Sequence, residues 1–197
     1  MSGFGRTGEW FAVNHWGVVP DLMTVAKGLT SGYLPLVAVL MSERIAAFFE
    51  ERPFPGGLTY NSHPLCLAAA IATLQVYQED RLIENAQRMG EILARELARL
   101  KERHPSVGDV RSIGLFGIVE LVKDRETREP LVPCNARPEE MGVMNRLREF
   151  FLQNGLYTFI RWNTFFTNPP LCITEAELRE GLEIIDRGLE ITDRAVR

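Results

Sequence analysis

The stretch that decides the fold is LMTVAKGLTSG, residues 22–32. A short apolar run over residues 22–26 leads to one lysine, Lys27, and a flexible turn rich in glycine follows at once. This order is typical of a buried strand that presents a lysine to a cleft. An amine desolvated in a cleft loses part of its proton affinity and becomes a nucleophile toward aldehydes. A solvated lysine at the end of a strand has the same pattern, so the stretch alone leaves both interpretations open.

Strand, turn and helix patterns alternate on both sides of Lys27 as far as residue 104, as they do in α/β proteins. Pro64 is suited to the first turn of a helix, and the alanines and leucines after it predict a helix that is buried on most sides. The predicted elements after Lys27 are a strand over 36–41, a helix over 43–50 capped by Ser42, a helix over 65–78 and an amphipathic helix over 81–103.

His104 and Pro105 end the amphipathic helix, and an α+β pattern follows. Thr174 and Glu177 have the spacing of a capping box, which predicts the start of the last helix. The other predicted elements are two short strands around Gly114 and Gly117, an excursion loop over 124–137, a helix over 139–153 and strands over 156–160 and 165–167. We therefore predict two domains, residues 1–104 and 105–197.

Composition bounds the kind of protein. The chain has 197 residues, of which 46% are hydrophobic and 24% charged, as in soluble globular proteins. A net charge of −4 gives no basic surface for nucleic acid, and the apolar runs are too short to span a membrane. The three cysteines and three histidines lack metal-ligand spacing, so we expect no metal site and a reducing, cytoplasmic environment.

Several separated motifs agree in order with one known family. They are GFGRTG at residues 3–8, WFA at 10–12, HWGVVPD at 15–21, AKG at 26–28, PL at 35–36, GLTYNSHP at 57–64, the segment around Arg161 and PPLCIT at 169–174. In this order they resemble the class III (omega) aminotransferases, which use pyridoxal phosphate and have the fold-type I α/β architecture. Within this family, the segments around Lys27 and Arg161 most resemble the branches that act on taurine or beta-alanine with pyruvate.

The resemblance implies roles for two residues around the cofactor. Lys27 would form the Schiff base with pyridoxal 5'-phosphate, and its freed amine would then move a proton as the general base. Thr59, in a loop rich in glycine, would bind the cofactor phosphate of the neighbouring subunit. The implied protein is a homodimer with shared active sites, which moves an amino group from an amine or omega-amino acid to a 2-oxo acid such as pyruvate.

Three further residues are candidates for binding substrate. The planar fork of Arg161 suits a carboxylate or sulfonate, and the family carries an arginine near this point that swings toward a substrate carboxylate. A structural salt bridge is the alternative for Arg161. Trp10 and Tyr60 are placed to wall a substrate pocket, although an aromatic residue in such a segment also fits a core position.

In this family a strand ending in Asp-Glu-Val comes directly before the GFGRTG segment, and its aspartate holds the pyridine nitrogen of the cofactor. Here Met1 stands in place of that strand. The resemblance thus implies a C-terminal half, made of the remainder of the large α/β domain and a small α+β domain. The alternative function is a non-catalytic remnant or interaction half that needs a separate N-terminal half and exposes apolar surface. The sequence leaves open whether Met1 is the true start and whether the chain is active by itself.

Overall fold

The computed structural model describes residues 2–196, so the question about Met1 lies outside the described residues. The chain divides into two compact units, the first ending at Glu84 and the second beginning at Asn85. The predicted domain boundary between residues 104 and 105 stays a prediction. The compact units divide earlier because the apolar face of helix Leu82–Arg103 packs into the core of the second unit.

The first unit contains one antiparallel strand pair. Strand β1 (Leu22–Val25) pairs with β2 (Ala38–Met41). The other elements of this unit are helix α1 (Glu43–Ala46), helix α2 (Pro64–Glu79) and short 3-10 helices at Ala12–Trp16, Lys27–Thr30 and Ala47–Phe49. Both strands that the sequence predicts here are present, and the helix predicted over 43–50 is an α-turn followed by a 3-10 turn. Ser42 precedes α1 as predicted, but its hydroxyl donates to Asp21 Oδ1 at 3.0 Å instead of capping the helix.

Helix α2 is much less buried than its sequence predicts. Only Ala70 and Tyr77 of this helix are buried, whereas the side chains of Leu65 and Ile71 are 62% and 59% exposed. Of the 19 large hydrophobic side chains that are exposed among the described residues, 16 lie in residues 16–76. The prediction of a helix buried on most sides is wrong for this unit by itself, because one pair of four-residue strands offers too little surface to cover it.

The second unit is built on an antiparallel sheet. Its strands are β3 (Val107–Ile113), β4 (Phe116–Asp124), β5 (Glu129–Pro130), β6 (Ile160–Arg161) and β7 (Thr164–Thr167), in the order β3-β4-β7-β6, with β5 paired to β4. The two short strands predicted around Gly114 and Gly117 are β3 and β4, and Gly117 lies inside β4 opposite Thr167. The predicted excursion loop contains β5, which pairs with the end of β4.

Three helices share one apolar core with this sheet. They are α3 (Leu82–Arg103), α4 (Gly142–Gln153) and α5 (Glu175–Asp193). Leu93 from α3, Val119 from β4 and Leu189 from α5 are completely buried in this core. Helix α5 begins with the predicted capping box, in which the Thr174 side chain accepts from Glu177 N and the Glu177 carboxylate accepts from Thr174 N. The second unit therefore has a larger packed interior than the described part of the first unit.

A polar cluster ties the end of α3 to α5. The buried His104 ring lies 2.7 Å from Asp193 Oδ2 through Nδ1 and 3.0 Å from Asp186 Oδ1 through Nε2. Asp193 Oδ1 also accepts from Ser106 N at 3.1 Å and from Ser106 Oγ at 2.6 Å. Because every polar atom named here has a hydrogen-bond partner, the cluster is a satisfied structural network.

Candidate active site

Lys27 lies at the end of β1, where the chain turns into the 3-10 helix Lys27–Thr30. Its side chain is exposed, and its backbone has a φ of +51°. Residues other than glycine rarely adopt this left-handed conformation, and strained backbone of this kind is concentrated at functional sites. The strain makes Lys27 a candidate for a functional role, on grounds independent of the sequence motif.

The turn that carries Lys27 is closed by backbone hydrogen bonds. Leu29 N donates to Ala26 O at 3.2 Å, and Gly32 N donates to Lys27 O at 3.3 Å. The next side chains face inward, since Leu29 and Thr30 are buried and Thr30 Oγ1 donates to Leu34 O at 2.6 Å. Buried neighbours thus anchor the turn while the lysine side chain stays accessible.

The Lys27 ammonium has no carboxylate within ion-pair distance and no hydrogen-bond acceptor among residues 2–196. The other two lysines of the chain are paired, Lys101 with Asp109 at 3.2 Å and Lys123 with Glu129 at 2.7 Å. Lys27 is therefore the lysine whose amine is available to an incoming ligand.

Asp21, which directly precedes β1, is already engaged. Its carboxylate lies 2.9 Å from Arg44 and accepts from Ser42. The hydrogen bond from Arg44, with that from Ser42 and the positive charge, holds the pKa of Asp21 below its usual range. Asp21 stays ionised and paired with Arg44, so it does not neutralise Lys27.

Aromatic side chains pack beneath the lysine turn. The ring of Tyr77 lies 6.1 Å from that of Phe4 in a stacked arrangement and 5.8 Å from that of Trp10. Tyr77 Oη donates to Gly28 O at 3.2 Å. The structure thus places Trp10 against the buried ring of Tyr77, with its own side chain half-buried. This contact fits the core position that was the alternative interpretation of Trp10. The substrate-binding role of Trp10 stays a prediction.

Burial also shifts the pKa values of two groups in this aromatic cluster. Desolvation lowers the pKa of Arg6, and desolvation raises the pKa of Tyr77, with a smaller opposing effect from Arg6. Tyr77 is consequently a neutral phenol that can donate a hydrogen bond to Gly28 O. Sequence reasoning missed Tyr77, and the available signal was that it is the single aromatic residue in α2.

Thr59 and Tyr60 lie next to each other in an exposed turn. Asn61 N donates to Leu58 O at 3.0 Å, and Ser62 follows with a φ of +57°. The Tyr60 side chain is 82% exposed, and the Thr59 hydroxyl has no hydrogen-bond partner among residues 2–196. The first unit therefore presents a free hydroxyl here, and no hydrogen bond within the described part of the chain joins this turn to Lys27.

Arg161 belongs to the second unit, at the end of β6. Its side chain is exposed, and its guanidinium carbon lies 4.2 Å from the centre of the Trp162 ring, a cation–π contact. Trp162 takes a φ of +51° in the turn that joins β6 to β7. No carboxylate of residues 2–196 is within ion-pair distance of Arg161. The described residues therefore contain no salt bridge to Arg161, which was the alternative interpretation. Its guanidinium is available to an anion.

Comparison with known proteins now decides the family. The family model described as Aminotransferase class-III matches residues 1–189. The chain belongs to the class III aminotransferases. The predicted family is confirmed, and this aminotransferase chain also has relatives of the predicted taurine type.

Two curated relatives and one solved structure illustrate the similarity. A putrescine–pyruvate aminotransferase of Pseudomonas aeruginosa is 35% identical over 198 residues, covering 100% of this chain and 42% of the relative. A taurine–pyruvate aminotransferase of Bilophila wadsworthia is 34% identical over 215 residues, covering 98% and 44%. The crystal structure of a taurine:2-oxoglutarate aminotransferase from Bifidobacterium kashiwanohense, in complex with PLP and glutamate, has a TM-score of 0.90 at 38% identity, covering 98% and 43%. The chain spans less than half the length of these proteins.

The structural likeness confirms the predicted fold class, the α/β architecture of fold-type I pyridoxal-phosphate aminotransferases. Pyridoxal phosphate is likewise confirmed as the cofactor of the family. The residues present fit this group in two respects. Lys27 offers an exposed, unpaired amine on a strained backbone, and Thr59 offers an exposed hydroxyl without a partner.

Within residues 2–196, no helix combines the length and apolarity of a membrane span. In the same part of the chain, no three side chains of His, Cys, Asp or Glu are grouped so that they could share a metal ion. The cysteines Cys66, Cys134 and Cys172 are all free.

Proposed function

We propose that this chain carries the lysine part of an aminotransferase active site, with Lys27 as the catalytic residue. The reaction is the transfer of an amino group from an amine or omega-amino acid to a 2-oxo acid such as pyruvate. The observation that carries the proposal is the state of Lys27: exposed, unpaired and held at a φ of +51° at the end of β1.

Each of these properties suits the chemistry. Pyridoxal phosphate, when bound, supplies an electron sink for the substrate carbon that loses its proton. Lys27 would hold the cofactor covalently through its amine. Once the substrate amine has displaced it, the Lys27 amine would carry the proton removed from the substrate carbon. A lysine already paired with a carboxylate would have to break that ion pair before it could react. Lys27 has no such pair among residues 2–196, so this step is not needed.

Thr59 is proposed to bind the cofactor phosphate across a subunit boundary. The support is its exposure in a turn where neither a side chain nor a backbone group of the described residues occupies its hydroxyl. A hydroxyl in this state can donate to an anion brought by a second subunit. The proposal therefore includes a homodimer with shared active sites.

Arg161 is proposed to bind the acidic group of the substrate, and Trp10 and Tyr60 of the first unit are proposed to contact substrate separately. An exposed guanidinium that is stacked on Trp162 and free of carboxylates supports this role, since its fork matches a carboxylate or sulfonate. Substrates such as taurine or beta-alanine carry such a group, and relatives named for taurine support this class. The exposed free thiols of Cys134 and Cys172 support a reducing, cytoplasmic location.

A second candidate function follows from the exposed apolar surface of residues 16–76. Surfaces of this kind mark interaction sites, and here they support an interaction half that needs a separate N-terminal half. In this case the chain by itself would not capture the cofactor. The two candidates therefore differ in one measurable property, which is the reactivity of Lys27 in the purified chain.

The deciding experiment uses the small number of lysines. The purified chain is mixed with pyridoxal phosphate, the visible absorption band is recorded, and borohydride then fixes the covalent bond for peptide mapping. We expect the label on Lys27 and its loss in Lys27→Ala. The matched control is Lys101→Ala with Lys123→Ala, in which both ion-paired lysines are removed and labelling at Lys27 should persist. Absence of the band, or equal labelling of all three lysines, would refute the proposal and leave the second candidate.

A further inference from the structure

One side chain from helix α2 reaches the backbone beside Lys27. Tyr77 Oη donates to the carbonyl oxygen of Gly28 at 3.2 Å, and Tyr77 is 7% exposed. We infer that Tyr77 is a positioning residue that holds Lys27 in its left-handed conformation. The inference rests on the proposed function of Lys27, and it adds a residue outside the motifs that identify the family.

The Gly28 carbonyl is a fixed point of the lysine turn. It accepts from Ser31 N at 3.3 Å as well as from Tyr77 Oη. The bond from Ser31 belongs to the turn itself, so it moves whenever the turn moves. The bond from Tyr77 comes from a separate 16-residue helix, and among residues 2–196 it is the hydrogen bond that ties this carbonyl to a structure outside the turn. Losing it frees the peptide group that follows Gly28.

Close packing keeps the Tyr77 hydroxyl in place. The ring is held between Phe4, stacked at 6.1 Å, and Trp10 at 5.8 Å. Gly28 approaches the same cluster so closely that a Cβ at this position would lie 2.8 Å from Phe4 Cβ. The backbone of the turn and the rings beneath it are thus in direct contact, which leaves the phenol little freedom to rotate away.

The charge state of Tyr77 suits this role. Desolvation raises the pKa of its phenol, while Arg6 opposes the rise to a smaller extent. The phenol therefore keeps its proton at neutral pH and donates a hydrogen bond to Gly28 O. The lysine has a φ of +51°, which a non-glycine residue leaves when nothing holds it. With Gly28 fixed, the Lys27 side chain keeps one direction, which the attack on an aldehyde carbon requires.

The first test measures hydrogen exchange of backbone amides in the purified chain without cofactor, comparing wild type with Tyr77→Phe. This variant keeps the ring and removes only the donor. A hydrogen bond of about 1 kcal/mol corresponds to about fivefold faster exchange at residues 29–32, with exchange in α4 and α5 unchanged. The matched control is Tyr33→Phe, because Tyr33 is 83% exposed and its hydroxyl has no partner among residues 2–196. Equal exchange in Tyr77→Phe and Tyr33→Phe would overturn the inference.

The second test measures the rate at which pyridoxal phosphate and borohydride label Lys27 relative to Lys101 in the same sample. We expect this ratio to fall about fivefold in Tyr77→Phe and to stay unchanged in Tyr33→Phe. General loss of structure would scatter the label over all lysines, so a selective fall identifies positioning. If wild-type Lys27 takes no label, the proposed function fails, and the exchange result still shows whether Tyr77 fixes the turn. A selective label with an unchanged ratio would refute the positioning role alone.

Discussion

Replacing Asp193 by alanine should destabilise the second unit strongly, although Asp193 is the last residue of α5. Its carboxylate accepts from Ser106 N at 3.1 Å and from Ser106 Oγ at 2.6 Å, and its Oδ2 lies 2.7 Å from His104 Nδ1. The His104 side chain is only 7% exposed, so water cannot replace the lost partner easily. Leaving a buried donor without its acceptor costs about 1–3 kcal/mol. Because Asp193 serves Ser106 N, Ser106 Oγ and the His104 ring, while its own side chain is 22% exposed, we expect a total of about 3 kcal/mol.

The matched control is Asp109→Ala. Asp109 has two cationic partners, Lys101 and Arg111, each at 3.2 Å, and its side chain is 43% exposed. Exposed pairs contribute about 0–1 kcal/mol, because water solvates both charges after the pair is lost. Each variant thus removes one aspartate carboxylate from the second unit. The two variants differ mainly in how far the partners of that carboxylate are buried.

The assay is urea unfolding followed by hydrogen exchange of peptides from α5, which reports on the second unit alone. With a slope of about 1.5 kcal/mol per molar urea, a loss of about 3 kcal/mol lowers the midpoint by roughly 2 M. The control should lower it by less than about 0.7 M. If Asp193→Ala and Asp109→Ala have midpoints within about 0.5 M of each other, the reasoning that burial decides the cost is refuted.

Two further predictions concern β4 and α5. Gly117→Ala should destabilise the second unit by about 1–3 kcal/mol, because the new Cβ would lie 2.1 Å from Thr167 Oγ1. The control is Gly142→Ala, whose Cβ meets open space and which should be close to neutral in urea unfolding. Equal unfolding midpoints for the two variants would contradict the predicted clash. Hydrogen bonds from the backbone and side chain of Thr174 lower the pKa of Glu177 from its ordinary 4.5, so their contribution to the start of α5 is present above that pH and is lost as pH falls through the lowered pKa. Amide exchange in the first turn of α5 should rise over this acid range in wild type and depend less on pH in Glu177→Gln, and identical pH profiles would exclude the carboxylate as the cause.

Local features were the part of the fold that the sequence could predict. Thr174 and Glu177 interact within one helical turn, so their spacing alone determines the start of α5, and the capping box is confirmed. The same holds for Pro64, which begins α2, and for β1, which precedes Lys27. These elements depend on neighbours within a few residues, and those neighbours are visible in the sequence.

Distant contacts were the part that the sequence could not predict. Tyr77 reaches Gly28 across 49 positions, and periodicity within α2 carries no information about that partner. The burial of α2 was overestimated for a related reason: apolar composition indicates that a surface avoids water, but it does not say what covers it. Arg161 was identified as an anion-binding candidate from its apolar neighbours, while its contact with Trp162 depends on the turn geometry between β6 and β7.

The uneven burial of the two units has a consequence for the life of this protein in a cell. The unpaired amine of Lys27 belongs to the unit that leaves Leu65, Ile71 and many other apolar side chains open to water. Chaperones and proteases recognise such surfaces and remove chains that leave them uncovered. The steady amount of this chain in a cell is then set by how fast this surface is covered after synthesis, so that its survival depends on the same unit that carries Lys27.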